Sequence, residues 1–273
     1  MRSNQLHTTV LIFGVVTSAC WLAAGRESAG QALLPPPKRE TPAVPGTPPA
    51  EDERVLPAPK LPPPKGAEKL PEPDQVWVDA KQRVVYVDGF ISLREGYLEM
   101  FACKVGTKEH ESIVALSAQA ATIHAALLAV GAKEGDPVQF QPAFRPPTGT
   151  EIAIEVHWVN ADGDWEKAIA QQWIRDSKTK KPMEQPWVFA GSGFWKDEET
   201  GKEYYMAEAG DVICVSNFST AMLDVPIESS QSNEGLLFEA NSDEIPELGL
   251  PVRLVLKPVL EDKEKKVKSK QPK

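Results

Sequence analysis

The sequence predicts an α+β domain at residues 75–260, in which mostly antiparallel short strands surround one buried helix at about residues 117–131. The first observation is a run of many short apolar or alternating segments separated by glycine and proline turns. The second is one long helical repeat of apolar side chains, at Ala120, Ile123, Leu127 and Val130. Many strands around a single central helix are typical of the α+β class.

Two signals bound the predicted helix. Ser117 is a suitable N-cap, because its hydroxyl can accept a hydrogen bond from a free amide of the first turn. Gly131 stands where a glycine commonly ends a helix. Between them, His124 is one of few polar interruptions, so the helix is apolar almost all round and we expect it to be buried on most sides.

The strand pattern is clearest at Glu151–Val159, where Ile152, Ile154, Val156 and Trp158 alternate with more polar residues. A hairpin is predicted around the acidic turn at residues 197–201, and a short helix or mixed element at residues 165–175. Further strands are predicted at residues 76–79, 83–92, 97–103, 112–116, 187–193, 212–215, 236–238 and 252–256.

The amino terminus indicates export. Arg2 precedes the apolar residues 10–16 and a stretch of small residues, which together predict a signal peptide at residues 1–30. Residues 16–20 resemble a bacterial lipobox, in which Cys20 would be lipidated after cleavage. We therefore expect a protein of the periplasm or cell envelope, with either a simple cleaved signal or a lipid anchor that tethers the amino terminus to a membrane.

Composition predicts two disordered segments. Fourteen of the 25 prolines lie between Pro35 and Pro73, and aromatic residues are absent there, so residues 31–74 are predicted to be a disordered linker. Residues 261–273 form a charged tail with the same prediction. The net charge of −9 argues against a nucleic-acid partner, which would require a basic face.

The candidate site lies in residues 97–132, where Cys103, Glu109, His110, Glu111 and His124 occur together. Thiolate, imidazole and carboxylate groups are ligands for a zinc-type divalent metal, so Cys103, His110, Glu111 and His124 are candidate ligands. Alternatively, Cys103 is a nucleophile, a histidine is its base, and Glu109 or Glu111 orients that base. A buried polar network without catalysis explains the same residues.

Several of these motifs also resemble a known family. Cys103 and residues 108–112, 123–128, 131–132 and 187–192 are similar to the YdjY-domain family of exported bacterial proteins of planctomycete type. The resemblance covers about residues 75–260, and the function of the family is not established. Some relatives carry a ferredoxin-like label, but only Cys103 and Cys214 lie in this domain, and an iron–sulfur cluster requires about four thiolates.

Together, these observations predict an exported, envelope-associated, non-catalytic binding or structural module. The alternative is a metal-binding protein or a Cys/His-based enzyme centred on Cys103, His110 and His124. Two cysteines in an oxidising compartment could form a disulfide, but a domain of this size needs none for stability. We therefore predict that Cys103 and Cys214 are free thiols, with Cys103 near one of the two histidines.

Overall fold

The computed structural model describes residues 61–232 and 235–260. The predicted signal peptide, Cys20, residues 31–60 of the predicted linker and the tail at residues 261–273 lie outside the described residues. Among those described, no helix has both the length and the apolar character that crossing a bilayer requires.

The described chain forms fifteen strands and one α-helix, with short 3₁₀ turns at Glu109–Glu111, Ala170–Trp173 and Met206–Ala209. The helix α1 is Ala120–Ala129. The strands are β1 Glu68–Lys69, β2 Val76–Asp79, β3 Val84–Ile91, β4 Met100–Lys104, β5 Ser112–Leu116, β6 Glu151–Val159, β7 Trp165–Ile169, β8 Ile174–Asp176, β9 Trp187–Phe189, β10 Phe194–Lys196, β11 Glu203–Tyr205, β12 Ile213–Cys214, β13 Leu223–Asp224, β14 Phe238–Ala240 and β15 Pro251–Pro258.

Eight strands close into a β-barrel. The order is β3, β15, β6, β9, β13, β12, β4 and β5, and β5 pairs again with β3. Six of these pairings are antiparallel, and the two between β12 and β13 and between β4 and β5 are parallel. Outside the ring, β2 extends the sheet from β3, β1 from β2, and β7 from β6.

The barrel closes at Gly89, where the strand beside β3 changes from β2 to β5. Residues 84–87 pair with β2, whereas Gly89 is level with Leu116 of β5. A Cβ atom at Gly89 would lie 2.4 Å from the carbonyl oxygen of Ala115, so any larger side chain would push the two backbones apart. The Asp88-Gly89 step therefore marks a close approach of two strands.

The barrel interior is packed with side chains. Trp173, Trp187, Phe101 and Phe189 are fully buried in the main hydrophobic core. The Phe101 ring lies near two of the others, with centroids 5.5 Å from Trp187 and 6.5 Å from Trp173. On β6 the alternation predicted from the sequence is confirmed, because the four apolar residues are buried and the residues between them are not.

The predicted fold class is wrong. The protein is a mostly β structure built on a closed barrel, and the helix lies on its core without being surrounded by strands. Only Ala120, Ile123, Ala126 and Leu127 of α1 are buried. The other residues of α1 are three exposed alanines, the exposed Leu128 and the half-buried Thr122 and His124, so the helix buries one side and not most of its surface.

The amino-terminal cap of α1 also differs from the prediction. Gln119, not Ser117, is the N-cap residue, and its own side chain makes no capping bond. Carboxylates from other parts of the chain do so instead: Asp74 accepts from the Gln119 amide at 3.0 Å, and Glu208 accepts from the Ala121 amide at 2.9 Å. Negative groups at this end also interact favourably with the positive end of the helix dipole.

The folded unit begins before residue 75, the predicted boundary. Residues 61–74 contain β1, and Asp74 is buried at the helix terminus. Arg253 of β15 donates to the carbonyl oxygen of Pro62 at 2.9 Å. The same guanidinium forms two hydrogen bonds with Asp88, at 2.6 and 2.8 Å, and both side chains are buried.

Candidate functional site

Within the described residues, the most exposed aromatic cluster is on a two-stranded hairpin, residues 194–205, which we call the aromatic hairpin. Phe194 pairs with Tyr205 and Trp195 with Tyr204 across β10 and β11. Phe194 is 67% exposed, Trp195 54% and Tyr204 41%. Directly opposed residues share a face of the ribbon, so Trp195 and Tyr204 occupy one face and Phe194 occupies the other.

The turn of the hairpin is formed by its own residues. The Asp197 side chain accepts hydrogen bonds from the amides of Glu199 and Thr200, at 2.9 and 2.8 Å. These bonds hold the pKa of Asp197 below its usual value. Gly201 has φ +68°, a conformation that suits glycine. The acidic turn predicted from the sequence is therefore confirmed, and its tip presents exposed carboxylates.

Tyr205 attaches the hairpin to the barrel. Its side chain is buried, and its hydroxyl oxygen lies 3.0 Å from the carbonyl oxygen of Gly191 and 2.8 Å from Nδ1 of His124. Burial, together with the nearby Glu134 carboxylate, raises the pKa of the Tyr205 phenol, which therefore stays protonated. Tyr205 acts as a neutral anchor between α1 and the segment that enters β10.

His124 is the second part of this anchor. Its Nε2 lies 3.0 Å from a carboxylate oxygen of Glu134, and its ring meets Phe189 edge-on at 4.8 Å. Burial lowers the pKa of His124, and the Glu134 carboxylate opposes this shift. Three contacts join Gly191, Tyr205, His124 and Glu134 in a row, and each needs one proton to be a hydrogen bond. The Tyr205 hydroxyl and a neutral imidazole supply two protons. Protonation of His124 would supply the third.

The approach to the hairpin is conformationally constrained. Gly191 has φ +91°, and a Cβ atom there would lie 2.9 Å from Cβ of Glu134. Ser192 also has a positive φ, 60°, which is unusual for a residue with a side chain, and its hydroxyl donates to the carbonyl oxygen of Thr220 at 2.6 Å. These contacts fix the direction in which β10 leaves the barrel.

Cys103 lies elsewhere, in a second, smaller core outside the main one. It is fully buried with Met100, Phe90, Ala115 and Cys214. Both cysteines are free thiols, as the sequence predicted. Burial raises the pKa of each thiol, so little thiolate is available for nucleophilic attack or metal binding.

Glu109, His110 and Glu111 form a 3₁₀ turn between β4 and β5. Glu109 accepts a hydrogen bond from the Gly106 amide. The His110 side chain is 76% exposed, with its Nε2 3.7 Å from Glu111. Among residues 61–232 and 235–260, no group of three or more His, Cys, Asp or Glu side chains is arranged to hold a metal ion. The predicted site residues thus lie in three separate places. Glu109, His110 and Glu111 form the 3₁₀ turn, Cys103 lies in the smaller core, and His124 contacts Tyr205 at the base of the hairpin.

A family model describes most of this barrel. The YdjY domain model matches residues 76–257, from β2 to β15. The chain belongs to the YdjY domain family. No curated protein and no solved structure matches the chain.

The YdjY domain also contains a buried acid that the sequence did not reveal. Asp224 is fully buried on β13, where one oxygen accepts from Asn217 at 3.1 Å and from the Val225 amide at 2.8 Å. Its other oxygen has no hydrogen-bond partner within the described part of the chain. Burial raises the pKa of Asp224 to about 8, although these hydrogen bonds oppose the rise. The neighbouring residues in the sequence, Leu223 and Val225, did not indicate that the Asp224 side chain would be buried.

Proposed function

We propose that this protein is an exported, envelope-associated binding module without catalytic activity, and that the aromatic hairpin is its binding surface. The observation that carries the proposal is the exposure of Phe194, Trp195 and Tyr204, at 67%, 54% and 41%, on one hydrogen-bonded hairpin. Aromatic residues of this kind are concentrated at the centres of protein interfaces.

The exposed rings of the hairpin are not needed to fill the hydrophobic core. Trp158, Trp173 and Trp187 are buried in the main core, so the core has its own aromatic side chains. By contrast, hydrogen bonds of Tyr205 with Gly191 and His124 attach the hairpin to the barrel while its other rings remain in water. Anchoring a binding element before it meets its partner lowers the conformational entropy lost on binding.

The shape and charge of the hairpin favour a protein partner. Aromatic rings lie on both faces of the ribbon, so the hairpin fits a groove better than a flat surface. Its tip carries the half-buried Asp197 and the exposed acids Glu198 and Glu199. The complementary partner is an envelope protein with an apolar groove that ends in basic side chains.

Export and tethering are supported by the sequence alone. Arg2 and the apolar residues 10–16 have the order of a signal peptide, and Cys20 stands at the position that a lipobox would modify. A proline-rich spacer between an anchored amino terminus and a domain would let the hairpin search for partners near the membrane.

A Cys/His-based enzyme receives less support. A nucleophilic cysteine needs an accessible thiolate, whereas Cys103 is fully buried and burial raises its pKa. The ring nitrogens of His124 face Tyr205 and Glu134, so neither is directed at a thiol.

The proposal is tested by crosslinking in cells. A photo-reactive residue is placed at Lys196, an exposed position beside the aromatic rings, in the exported full-length chain. We expect one envelope protein to be crosslinked, and we expect the product to disappear when Phe194→Ser and Trp195→Ser are combined. The matched control combines Trp165→Ser with Ile169→Ser, which also removes two exposed apolar side chains and should leave the product unchanged.

Two outcomes would overturn the proposal. One is a crosslinked product that survives the Phe194→Ser and Trp195→Ser changes, because the partner would then bind elsewhere. The other is a product that contains glycan and no protein, because the surface would then recognise carbohydrate.

A further inference from the structure

One part of the barrel's outer face is covered by the chain that precedes β2; we call it the covered face. It consists of Trp77 on β2, Asp88 on β3 and Arg253 on β15, which are 4%, 1% and 3% exposed although none belongs to the main core. Lys69 lies over the Trp77 ring at 5.5 Å, and Pro62 accepts a hydrogen bond from Arg253. The segment before β2 thus already covers part of the outer surface of the barrel.

The same outer face continues onto β6 and β7. Arg253 is level with His157 on β6, which is level with Lys167 on β7. Trp165 and Ile169 lie on the same side of β7 as Lys167 and are 49% and 55% exposed. We call these three residues of β7 the open face, because all three are exposed. At its edge, the Arg253 guanidinium lies 6.0 Å from the centroid of the Trp165 ring.

The described chain begins at the border between the two faces. Followed towards the amino terminus, it runs from β1, beyond β2, to Pro62 above β15, and so crosses β2 and β3. That path spans three strand spacings, about 14 Å at about 4.8 Å per strand. The next two strands in the same direction are β6 and β7, about 10 Å farther, a distance that about three to five extended residues cover.

The residues that would arrive there have a suitable composition. Val55, Leu56, Pro57, Ala58 and Pro59 form an apolar run between Arg54 and Lys60. The eight residues before Arg54 contain three acids and no large apolar side chain. The flanking cations also match Glu155 of β6, which is level with Ile169 and has a carboxylate oxygen 3.7 Å from Nζ of Lys167.

We propose that residues 54–60 dock on the open face, over Trp165 and Ile169, and so extend the cover that residues 61–69 form on the adjoining strands. Proline-rich segments bind aromatic surfaces at low entropic cost, because their backbone is already extended. The docking fixes the point at which the tether leaves the domain, near β7. It does not depend on the aromatic hairpin or on the proposed binding function.

The test is tryptic cleavage of the full-length chain. Arg54 and Arg39 both lie before Leu61, and only Arg54 belongs to the segment that would dock. A synthetic peptide of residues 34–66 gives the intrinsic cleavage rate after each arginine. We expect cleavage after Arg54 in the protein to be at least tenfold slower than in the peptide, and cleavage after Arg39 to be within twofold of the peptide.

Variants locate the protection. Trp165→Ser with Ile169→Ser should restore rapid cleavage after Arg54, and so should Val55→Ser with Leu56→Ser, which leaves the barrel unaltered. Phe194→Ser with Trp195→Ser is the matched control and should retain the protection. Rapid cleavage after Arg54 in the wild-type chain overturns the proposal. Protection that survives both sets of serine changes, or that appears only at high protein concentration, also overturns it, because another surface or a second copy would then be responsible.

Discussion

Trp77 and Trp195 both lie outside the main core, yet Trp77 is 4% exposed and Trp195 is 54% exposed. The first belongs to the covered face, where residues 61–69 lie across the barrel and Arg253 is paired with Asp88. The second belongs to the aromatic hairpin, which the described chain leaves uncovered while anchoring it through Tyr205. This protein therefore buries an outer aromatic residue where its own chain lies across it. The rings of the hairpin have no such cover within the described residues, which leaves them free to contact a partner.

The largest effect is expected on the covered face. Arg253→Met would leave Asp88 buried without its cation, and we expect a loss of about 3–5 kcal/mol in the free energy of unfolding. Denaturant melts measure it. Adding Asp88→Leu to the same variant removes the stranded acid and should recover much of the loss. If the single variant is as stable as the wild type, the ion pair does not hold the cover in place.

A second prediction concerns a buried group that its surroundings leave partly without partners. The folded-state pKa of Asp224, about 8, lies above its ordinary value of 3.8, so the folded protein binds this proton more tightly than the unfolded chain. This contribution to stability is complete below about pH 4 and is lost as the pH rises towards 8 and above. We expect Asp224→Asn to match the wild type at about pH 4 and to exceed it by about 1–3 kcal/mol at pH 9. Equal stabilities at pH 9 would contradict the shift.

The anchor of the hairpin should be less costly to remove. Tyr205→Phe deletes the hydroxyl between Gly191 and His124, and we expect about 1–2 kcal/mol of destabilisation. Hydrogen exchange should quicken in β10 and β11 more than in β6. Tyr204→Phe, which alters an exposed hydroxyl of the neighbouring residue, is the control and should change neither property. Faster exchange throughout the barrel would mean that Tyr205 supports the core and not the hairpin.

The hairpin itself should contribute least to stability. Phe194→Ser with Trp195→Ser alters two exposed side chains, and each exposed change is expected to shift the free energy of unfolding by no more than about 0.5 kcal/mol. Thermal melts measure it. A loss of several kcal/mol would place these rings in the energetics of folding and would remove the contrast with Trp77.

Local sequence patterns predicted the elements better than their assembly. The alternation of β6, the acidic hairpin turn and the end of α1 at Gly131 follow from neighbouring residues and are confirmed. Barrel closure does not follow from them, because it depends on pairing between β3 and β15, which are far apart in the chain. The Asp88-Gly89 step was the one local trace of that closure.

The candidate site shows the same division. His124 was singled out from the sequence, but its partners Glu134 and Tyr205 come from segments that no short motif connects with it. Ser117 met the rules for a helix cap, yet carboxylates from Asp74 and Glu208 reach the amides instead. Such contacts are set by tertiary packing, which a spacing rule does not contain. Exposure of the hairpin rings is likewise a property of the assembled surface.

The most direct test of the binding surface is the dissociation constant for the envelope protein that crosslinks beside Lys196. Truncation of central aromatic residues in an interface costs about 2 kcal/mol or more each, so Phe194→Ser with Trp195→Ser should weaken binding at least tenfold. Trp165→Ser with Ile169→Ser should leave the affinity within about twofold. Equal affinities for the wild type and the hairpin variant would contradict the account, whatever the stability of either protein.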